Sequence, residues 1–262
     1  MLAKAPIRSR PSDRSVRVPA RATDRQISVK AHSRPHPGSD PHPDRDPYIM
    51  SATPPGYGEA MSDPGTSSSR PPALDVPGLP RFAVLDIETS GLSTRWHRIL
   101  QVALVVVEDG RVVDEWSSLV RLRWRFGRVG PRRVHGIDRT MLRGAPRLGD
   151  VVAELAHRVD GAVITAHNVA FDWPFIERAA RRAGVELPAT PRLCTLRLSR
   201  ALDPQRQLSH RLADACARYG ITNDRPHDAL HDARATAQLL PHLLAGHAIR
   251  TPGDLDTLYE RR

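Results

Sequence analysis

Residues 82–92 read FAVLDIETSGL, and the interpretation of the whole chain starts from this stretch. Its apolar beginning, residues 82–85, predicts a short buried strand, which the polar TSG sequence then ends. Because side chains alternate across a strand, Asp86 and Glu88 point to one side and Ile87 points to the other. Two adjacent carboxylates repel each other unless a cation lies between them, and carboxylate oxygens suit a hard divalent ion. The pair alone is weak evidence, since such a pair is more often a solvated strand end.

Composition divides the chain into a polar N-terminal part and a remainder with periodic aliphatic residues. The 262 residues carry a net charge of +10, and residues 81–262 hold 28 Lys and Arg against 21 Asp and Glu. Pro, Ser, Arg and Asp dominate residues 1–78, which predicts a disordered tail. The basic folded part favours a polyanionic partner such as nucleic acid, although codon bias toward Arg gives the same charge.

The tail, residues 1–78, has three competing interpretations. Its first third is rich in Arg and poor in acids, which is typical of a nucleic-acid-binding arm or of an organellar transit peptide. Alternatively, translation starts at Met50 or Met61. The sequence contains no apolar run of membrane-spanning length and no secretory signal, and Cys194 and Cys216 form no CxxC pair. We therefore expect a cytoplasmic protein with no membrane partner, disulfide framework or zinc ribbon.

The apolar pattern after residue 82 predicts strands first and helices later. A second apolar run, residues 97–108, is joined by an Asp-Gly turn to residues 111–122, which predicts an antiparallel meander of three strands. A helical pattern over residues 146–159 and a short strand over 162–167 predict a crossover, with that strand parallel to its neighbour. Pro241 is expected to end or kink the helix before it. The remaining predicted segments are helices at 173–183, 209–219, 229–240 and 254–259 and a short apolar piece at 193–196.

A basic segment, residues 123–133, connects the meander to the first helical pattern. It sets Trp124 and Phe126 among Arg residues, and interleaved aromatic and Arg side chains can stack nucleic-acid bases. A mobile surface loop is the default interpretation of such a segment. His135, just after it, is expected to be a loop residue rather than a catalyst.

Two further polar clusters follow predicted elements. AHNVAFDWPFI, at residues 166–176, places Asp172 after a strand and at the start of a helix, where either the helix dipole or a simple N-cap role favours a carboxylate. PHDALHDARATA places Asp232 in the first turns of a later helix, with His227 just before it. The alternative is again structural, because Asp228 alone explains a cap and a lone histidine is usually structural.

The order of the three clusters resembles the DnaQ-like exonucleases with the DEDDh pattern. The first motif matches in DIETSGL, the second in HNVAFD and the third in HDALHD. In the sister group with a tyrosine, that residue would stand four positions before the last acid, where this sequence has Asp228, so the histidine class is the better match. The resemblance extends over about residues 80–245 and includes VHGI at 134–137 and CTLRLSR at 194–200.

The resemblance implies an α/β, ribonuclease H-like fold with a mixed five-stranded sheet, three strands antiparallel and then parallel, flanked by helices. It implies an exonuclease domain at residues 79–246, preceded by the tail and followed by a short helical end at 247–262. The implied metal ligands, for two Mg²⁺ or Mn²⁺ ions, are Asp86, Glu88, Asp172 and Asp232. The implied general base is His227. The implied pocket for the terminal nucleotide is Thr89, Ser90, Gly91, Leu92, His167, Asn168 and Phe171. Leu92 and Phe171 can instead be core residues, and His210 and His231 are expected to be structural or exposed.

The implied activity is a metal-dependent 3′→5′ exonuclease that releases nucleoside 5′-monophosphates from single-stranded or frayed DNA, in repair or proofreading. RNA trimming is an alternative activity, because the residues of the motifs do not reveal whether the pocket accepts a 2′-hydroxyl group. A non-catalytic nucleic-acid-binding protein on the same fold is the second alternative, and the presence of all five site groups argues against it. Proofreading subunits of bacterial DNA polymerase III resemble the chain in their nuclease domain, and the tail offers a docking arm for a polymerase or another protein. The short C-terminal end favours a stand-alone enzyme.

Overall fold

A mixed sheet of five strands organises the computed structural model, which describes residues 76–122 and 128–260. The strands are β1 (Phe82–Thr89), β2 (Ile99–Glu108), β3 (Arg111–Leu119), β4 (Val163–Ala166) and β5 (Arg192–Cys194). Their order is β3-β2-β1-β4-β5. β1, β2 and β3 pair antiparallel, whereas β4 pairs parallel with both β1 and β5. The predicted meander, crossover and fold class are confirmed, while Trp124 and Phe126 lie outside the described residues.

Helices cover both faces of this sheet. They are α1 (Arg132–His135), α2 (Leu148–Arg158), α3 (Val169–Ala183), α4 (Thr195–Ala201), α5 (Leu212–Arg218) and α6 (Ala229–Gly246), followed by a 3-10 helix at Pro252–Thr257. None of the helices in the described ranges has both the length and the apolar character needed to cross a bilayer.

β1 lies at the centre of the sheet and contributes alternate side chains to two separate cores. Ala83, Leu85 and Ile87 pack in the core beneath α2 and α3. Phe82 and Val84 pack in the opposite core, which α4, α5 and α6 cover. A strand buried on both faces reads as a continuous apolar run, as residues 82–85 do. The core on the α6 side therefore continues directly into the positions of the two acids that follow.

The boundaries of α3 differ from the prediction. The helix begins at Val169, four residues earlier than expected, because buried Val169 packs in the core beneath α3 and anchors an additional turn. Asp172 consequently lies within the first turn, and Asn168, with a left-handed φ of 88°, occupies the N-cap position. The N-cap interpretation of Asp172 is therefore wrong.

Pro241 does not end α6, contrary to one expectation. The helix continues to Gly246 although a proline lacks the amide hydrogen that bonds to the preceding turn. Leu243 and Leu244 are fully buried in the core on the α6 side, and their burial stabilises the last turn.

Short elements account for the other differences between prediction and structure. His135 lies in α1 rather than in a loop, and it is buried, with Nε2 2.9 Å from the Val129 carbonyl and Nδ1 accepting from the Ile137 amide. The apolar piece at 193–196 divides between β5 and α4, and α5 is shorter than the predicted helix. The helix expected at 254–259 is the 3-10 helix, which begins two residues earlier. A four-residue helix is too short to produce a periodic pattern in the sequence.

Candidate active site

The first two acids of the candidate site continue one face of β1. Asp86 and Glu88 follow Phe82 and Val84 on the side that α6 covers, at the point where the apolar lining of that core ends. Both are half-buried, whereas the intervening Ile87 is buried in the opposite core. The alternation of the strand thus presents two carboxylates to the start of α6.

Asp172 reaches the same strand end from α3. It is only 4% exposed, and the backbone amides of Ile87 and of Asp172 itself lie near its carboxylate, where they partly offset the effect of burial on its pKa. β4 pairs with β1 only as far as Val84, so the last part of β1 is open to the beginning of α3. Asp172 is therefore held against the backbone between Asp86 and Glu88.

The fourth acid and the histidine come from the beginning of α6. One carboxylate oxygen of Asp232 accepts from the side-chain amide of Asn223 at 2.5 Å, and the other accepts from the backbone amide of His227 at 3.0 Å. His227 is exposed and has a φ of 65°, in the left-handed region that an L-residue rarely adopts. Such conformations cluster at functional sites, and here the turn brings the imidazole back toward Asp232.

Asp228 has the capping role that its sequence position predicts. Its side chain accepts from the Leu230 amide at 3.1 Å at the start of α6, and it forms an ion pair with Arg225 at 3.3 Å. It therefore fixes the first turn of α6, on which Asp232 lies.

Three of these side chains form a candidate metal site by distance alone. Glu88, His227 and Asp232 each offer one ligand atom, and these atoms lie within 4.8 Å of one another. Carboxylate oxygens are the ligands that hard divalent ions such as Mg²⁺ and Mn²⁺ prefer.

The pKa values of the acids indicate that Asp86 and Asp172 belong to the same cluster as Glu88 and Asp232. Burial and then repulsion from Asp232, Asp172 and Asp228 raise the pKa of Glu88 from 4.5 to about 8. Burial raises the pKa of Asp172 from 3.8 to about 8, and burial followed by repulsion, chiefly from Asp172, raises the pKa of Asp86 well above its usual range. Burial also raises the pKa of Asp232. Carboxylates that repel one another in this way are suited to bind a cation, because the positive charge of the ion offsets their mutual repulsion.

The loop between β1 and β2 holds most of the predicted nucleotide pocket. Ser90 closes it, since its amide donates to the Arg98 carbonyl at 2.9 Å and its hydroxyl accepts from the Arg98 amide at 3.0 Å. The Thr89 hydroxyl donates to the Gly91 carbonyl at 2.9 Å. A Cβ atom at Gly91, whose φ is 151°, would lie 2.5 Å from the His97 ring. Leu92 is 83% exposed, so its interpretation as a core residue is wrong.

The predicted pocket residues near α3 differ in their surroundings. Nδ1 of His167 lies 3.0 Å from the Thr195 hydroxyl, and Nε2 lies 2.9 Å from the His210 carbonyl. Both ring nitrogens are thus engaged within the protein, which argues against direct contact between this ring and a substrate, and burial lowers the pKa of His167. Asn168 is exposed, while Phe171 is half-buried and lies 5.4 Å from the Phe175 ring.

Another histidine, His210, has a structural environment, as one of its two expected roles implies. Its Nδ1 lies 2.8 Å from the Ser199 hydroxyl, and its Nε2 lies 3.2 Å from an Asp203 oxygen. The His210 carbonyl lies 2.9 Å from Nε2 of His167, the residue directly after β4, so these contacts connect His210 to the end of that strand. His231 is half-buried on α6.

Two residues that support the site escaped the sequence-based analysis. Asn223 fixes Asp232 from a loop nine residues away, and nothing in its local sequence indicates this. Gln101 pairs with Glu88 across β1 and β2, and its side-chain oxygen accepts from the Ala229 amide at 3.3 Å. A polar residue inside the apolar run ILQVALVVV was a usable indication that Gln101 has a special role.

Comparison with known proteins relates this geometry to a family. The RNase_T family model, described as "Exonuclease", matches residues 83–240. The PolC-type DNA polymerase III of Lacticaseibacillus paracasei is 31% identical over 159 residues, which are 61% of this chain and 11% of that protein. The corresponding protein of Halalkalibacterium halodurans is 32% identical over 159 residues, with the same coverage of 61% and 11%. The chain thus spans about a tenth of the length of these curated relatives.

Solved structures show the same fold. E. coli exonuclease I in complex with a dA16 oligonucleotide matches with a TM-score of 0.59 and 21% identity, over 68% of this chain and 42% of that one. Exonuclease X in complex with 5′ overhanging duplex DNA matches with a TM-score of 0.52 and 25% identity, over 68% and 98%. The nuclease domain of 3′hExo, a DEDDh family member bound to rAMP, matches with a TM-score of 0.56 and 14% identity, over 64% and 94%. Since the family model covers more than half of the sequence, this chain belongs to the RNase_T exonuclease family, and its likeness to the solved structures shows that it has a DEDDh exonuclease fold.

Proposed function

We propose that this protein is a metal-dependent 3′→5′ exonuclease that releases nucleoside 5′-monophosphates from single-stranded or frayed DNA. The observation that carries the proposal is the convergence of the acids and the histidine at the end of β1. Glu88, His227 and Asp232 offer ligand atoms within 4.8 Å of one another. Asp172 is buried against the same strand end, where burial and then repulsion from nearby acids raise the pKa of Asp86 well above its usual range.

The carboxylates suit two Mg²⁺ or Mn²⁺ ions in both chemistry and charge. Asp86, Glu88, Asp172 and Asp232 would hold the ions, which when bound would acidify a water molecule and stabilise the departing 3′ oxygen. Asp232 is oriented by the side-chain amide of Asn223 and by the backbone amide of His227, and Asp172 is held near the amide of Ile87. The two hydrogen bonds to Asp232 fix the direction of its oxygens before an ion binds.

His227 is the proposed general base. It is exposed, its left-handed turn lies next to Asp232, and histidine is the side chain that most often serves as a general base. Its side chain would take a proton from the attacking water, while its backbone amide holds Asp232. The proton-transfer role and the structural role of this residue therefore use different atoms.

The loop after β1 is the proposed contact for the terminal nucleotide. Exposed Leu92 would pack against its base, and Gly91 allows the backbone to approach closely. DNA is the proposed polymer because the PolC-type relatives are DNA polymerases and exonuclease X was solved with duplex DNA. The polymerase context of these relatives also supports a role in repair or proofreading, with the N-terminal tail as a docking arm for a protein partner.

The test is a digestion of 5′-labelled single-stranded DNA and RNA by the full chain in Mg²⁺, Mn²⁺ or EDTA. We expect a ladder of one-nucleotide steps from the 3′ end of the DNA. The ladder should disappear in EDTA and in Asp86→Ala, which loses a metal ligand, and it should persist in the matched control Asp160→Asn, an exposed acid after α2. A ladder on RNA alone would show that the substrate is RNA and not DNA. Tight binding without a ladder in either metal would favour the non-catalytic alternative.

His227→Asn separates proton transfer from ligand positioning. Asparagine tolerates the left-handed conformation and keeps the backbone amide that holds Asp232, but it cannot act as a base. We expect kcat to fall about 10²- to 10⁴-fold, the usual contribution of a general base. The metal concentration for half-maximal activity and the Kd for the oligonucleotide should change little. Near-normal kcat in His227→Asn would refute the general-base assignment.

A further inference from the structure

The loop that joins β1 to β2 exposes a second large apolar side chain. Trp96 is 71% exposed and Leu92, on the same loop, is 83% exposed. Single exposed apolar residues need no explanation, but two on one short loop beside an acid cluster indicate a contact surface. Leu92 has a proposed partner in the terminal nucleotide, whereas Trp96 has none.

Backbone and side-chain hydrogen bonds hold this loop in a defined shape. Its two ends are joined by the pair of bonds between Ser90 and Arg98. Inside it, the Trp96 amide donates to the Ser93 carbonyl at 3.2 Å, and the Ser93 amide donates to Nδ1 of His97 at 3.0 Å. An exposed tryptophan on a fixed backbone is already oriented, so little conformational entropy is lost when a flat partner binds.

Arg95 places a positive charge over one face of the Trp96 indole. Its guanidinium carbon lies 4.9 Å from the centroid of the Trp96 ring, within the range of a cation–π contact. The combination of an aromatic face and a cation is the combination that binds single-stranded nucleic acid, because every base has a π-face and every linkage has a negative charge.

The position of Arg95 relates this surface to the proposed catalytic centre. Its carbonyl accepts from the Arg178 guanidinium at 3.3 Å. Arg178 lies six residues after Asp172 on α3, a distance of about 9 Å along the helix axis at roughly 1.5 Å per residue. The loop that carries Trp96 is therefore held against α3 within about two helical turns of Asp172, close enough for a short single strand to span.

We propose that Trp96, supported by Arg95, is a second base-stacking site, for a nucleotide one or two positions 5′ of the terminal nucleotide. The site takes single-stranded nucleic acid without base preference, since stacking is largely independent of sequence. It gives the enzyme a preference for oligonucleotides over single-nucleotide substrates. The inference rests on the proposed function, because the stacking site is positioned relative to a strand that ends at the acid cluster.

The test compares two substrates that differ in whether they can reach Trp96. The p-nitrophenyl ester of thymidine 5′-monophosphate occupies the terminal pocket only, whereas the oligonucleotide dT12 extends past the loop. For Trp96→Ala in the full chain, the ratio of kcat/KM for dT12 to kcat/KM for the ester should fall about 5- to 100-fold, as expected for one base–aromatic stack. The loss should be in KM for dT12, and Trp96→Phe should recover most of it. Val112→Ala, which trims an exposed apolar residue of β3, is the matched control.

Binding measurements keep this inference separable from the proposed function. The Kd for fluorescently labelled dT12, measured by anisotropy in Ca²⁺, should rise by a similar factor in Trp96→Ala. If the wild-type protein produces no ladder, the proposed exonuclease activity fails, yet this comparison of Kd still tests the stacking site. Equal Kd values for wild type and Trp96→Ala, or an equal loss of kcat/KM on both substrates, would overturn the inference.

Discussion

Asp172 is 4% exposed, and burial raises its pKa from 3.8 to about 8. In the unfolded chain this carboxyl ionises near pH 4, so between about pH 4 and 8 the folded state binds more protons than the unfolded state. The Asp172 carboxyl therefore contributes a decrease in the free energy of unfolding of the metal-free protein as pH rises through that range. Glu88, whose pKa is also raised to about 8, contributes in the same direction.

Asp172→Asn tests this linkage. An asparagine at this position cannot ionise, so it removes one of the pH-dependent contributions, which reaches about 1.4 kcal/mol per pH unit for one full proton. In EDTA, we expect the Tm of the wild-type protein to fall from pH 5 to pH 8 and the Tm of Asp172→Asn to fall less steeply. Asp160→Asn, an exposed acid outside the site, is the control. Identical slopes for wild type and Asp172→Asn would contradict the raised pKa.

Site residues that lie within a recognisable sequence motif could be predicted from the sequence, whereas residues outside such motifs could not. Asp86, Glu88 and Asp172 stand at recognisable strand ends or helix starts, and alternation alone put the first two on one side. Asn223 could not be found, because its bond to Asp232 depends on how a loop folds back over nine residues. The engagement of the His167 ring was equally hidden, since its partners are 28 and 43 residues away in sequence.

α6 is the element on which the position of Asp232 depends, and it is anchored at both ends. At its start, Asp228 caps the helix and Gln101 accepts from the Ala229 amide. Near its end, Leu243 and Leu244 are fully buried, and a Cβ atom at Gly246 would lie 2.8 Å from the Leu202 side chain. Sequence rules predict that Pro241 ends or kinks the helix, because they weigh the missing amide hydrogen and cannot weigh the burial beyond it.

Leu243→Ala measures the stabilisation that this buried last turn of α6 provides. Leu243 is 0% exposed, and truncating a fully buried leucine removes apolar burial and leaves a cavity. We expect the free energy of unfolding to fall by about 2–5 kcal/mol in urea denaturation. Gln238→Ala, at an exposed position of the same helix, should change it by less than about 0.5 kcal/mol. A change of similar size in both variants would contradict the full burial of Leu243.

On the scale of the whole molecule, the order of the strands was predictable from the sequence, but the division of the helices between the two faces of the sheet was not. Short connections forced the first three strands into a meander, and the crossover over α2 made β4 parallel to β1. The sequence could not show that α2 and α3 cover one face while α4, α5 and α6 cover the other, because that division depends on contacts between distant segments.

The burial of β1 on both faces has a consequence for how this chain tolerates change. Its odd-numbered side chains Ala83, Leu85 and Ile87 belong to one core, and its even-numbered ones belong to the other core and to the acid cluster. A single residue inserted within β1 before Asp86 would exchange the two faces of the strand for the residues that follow. The side chains of Asp86 and Glu88 would then point into the apolar core beneath α2 and α3. Substitutions preserve parity and insertions do not. In related chains, differences in length should therefore accumulate in the connections, while β1 keeps its number of residues even as their identities drift.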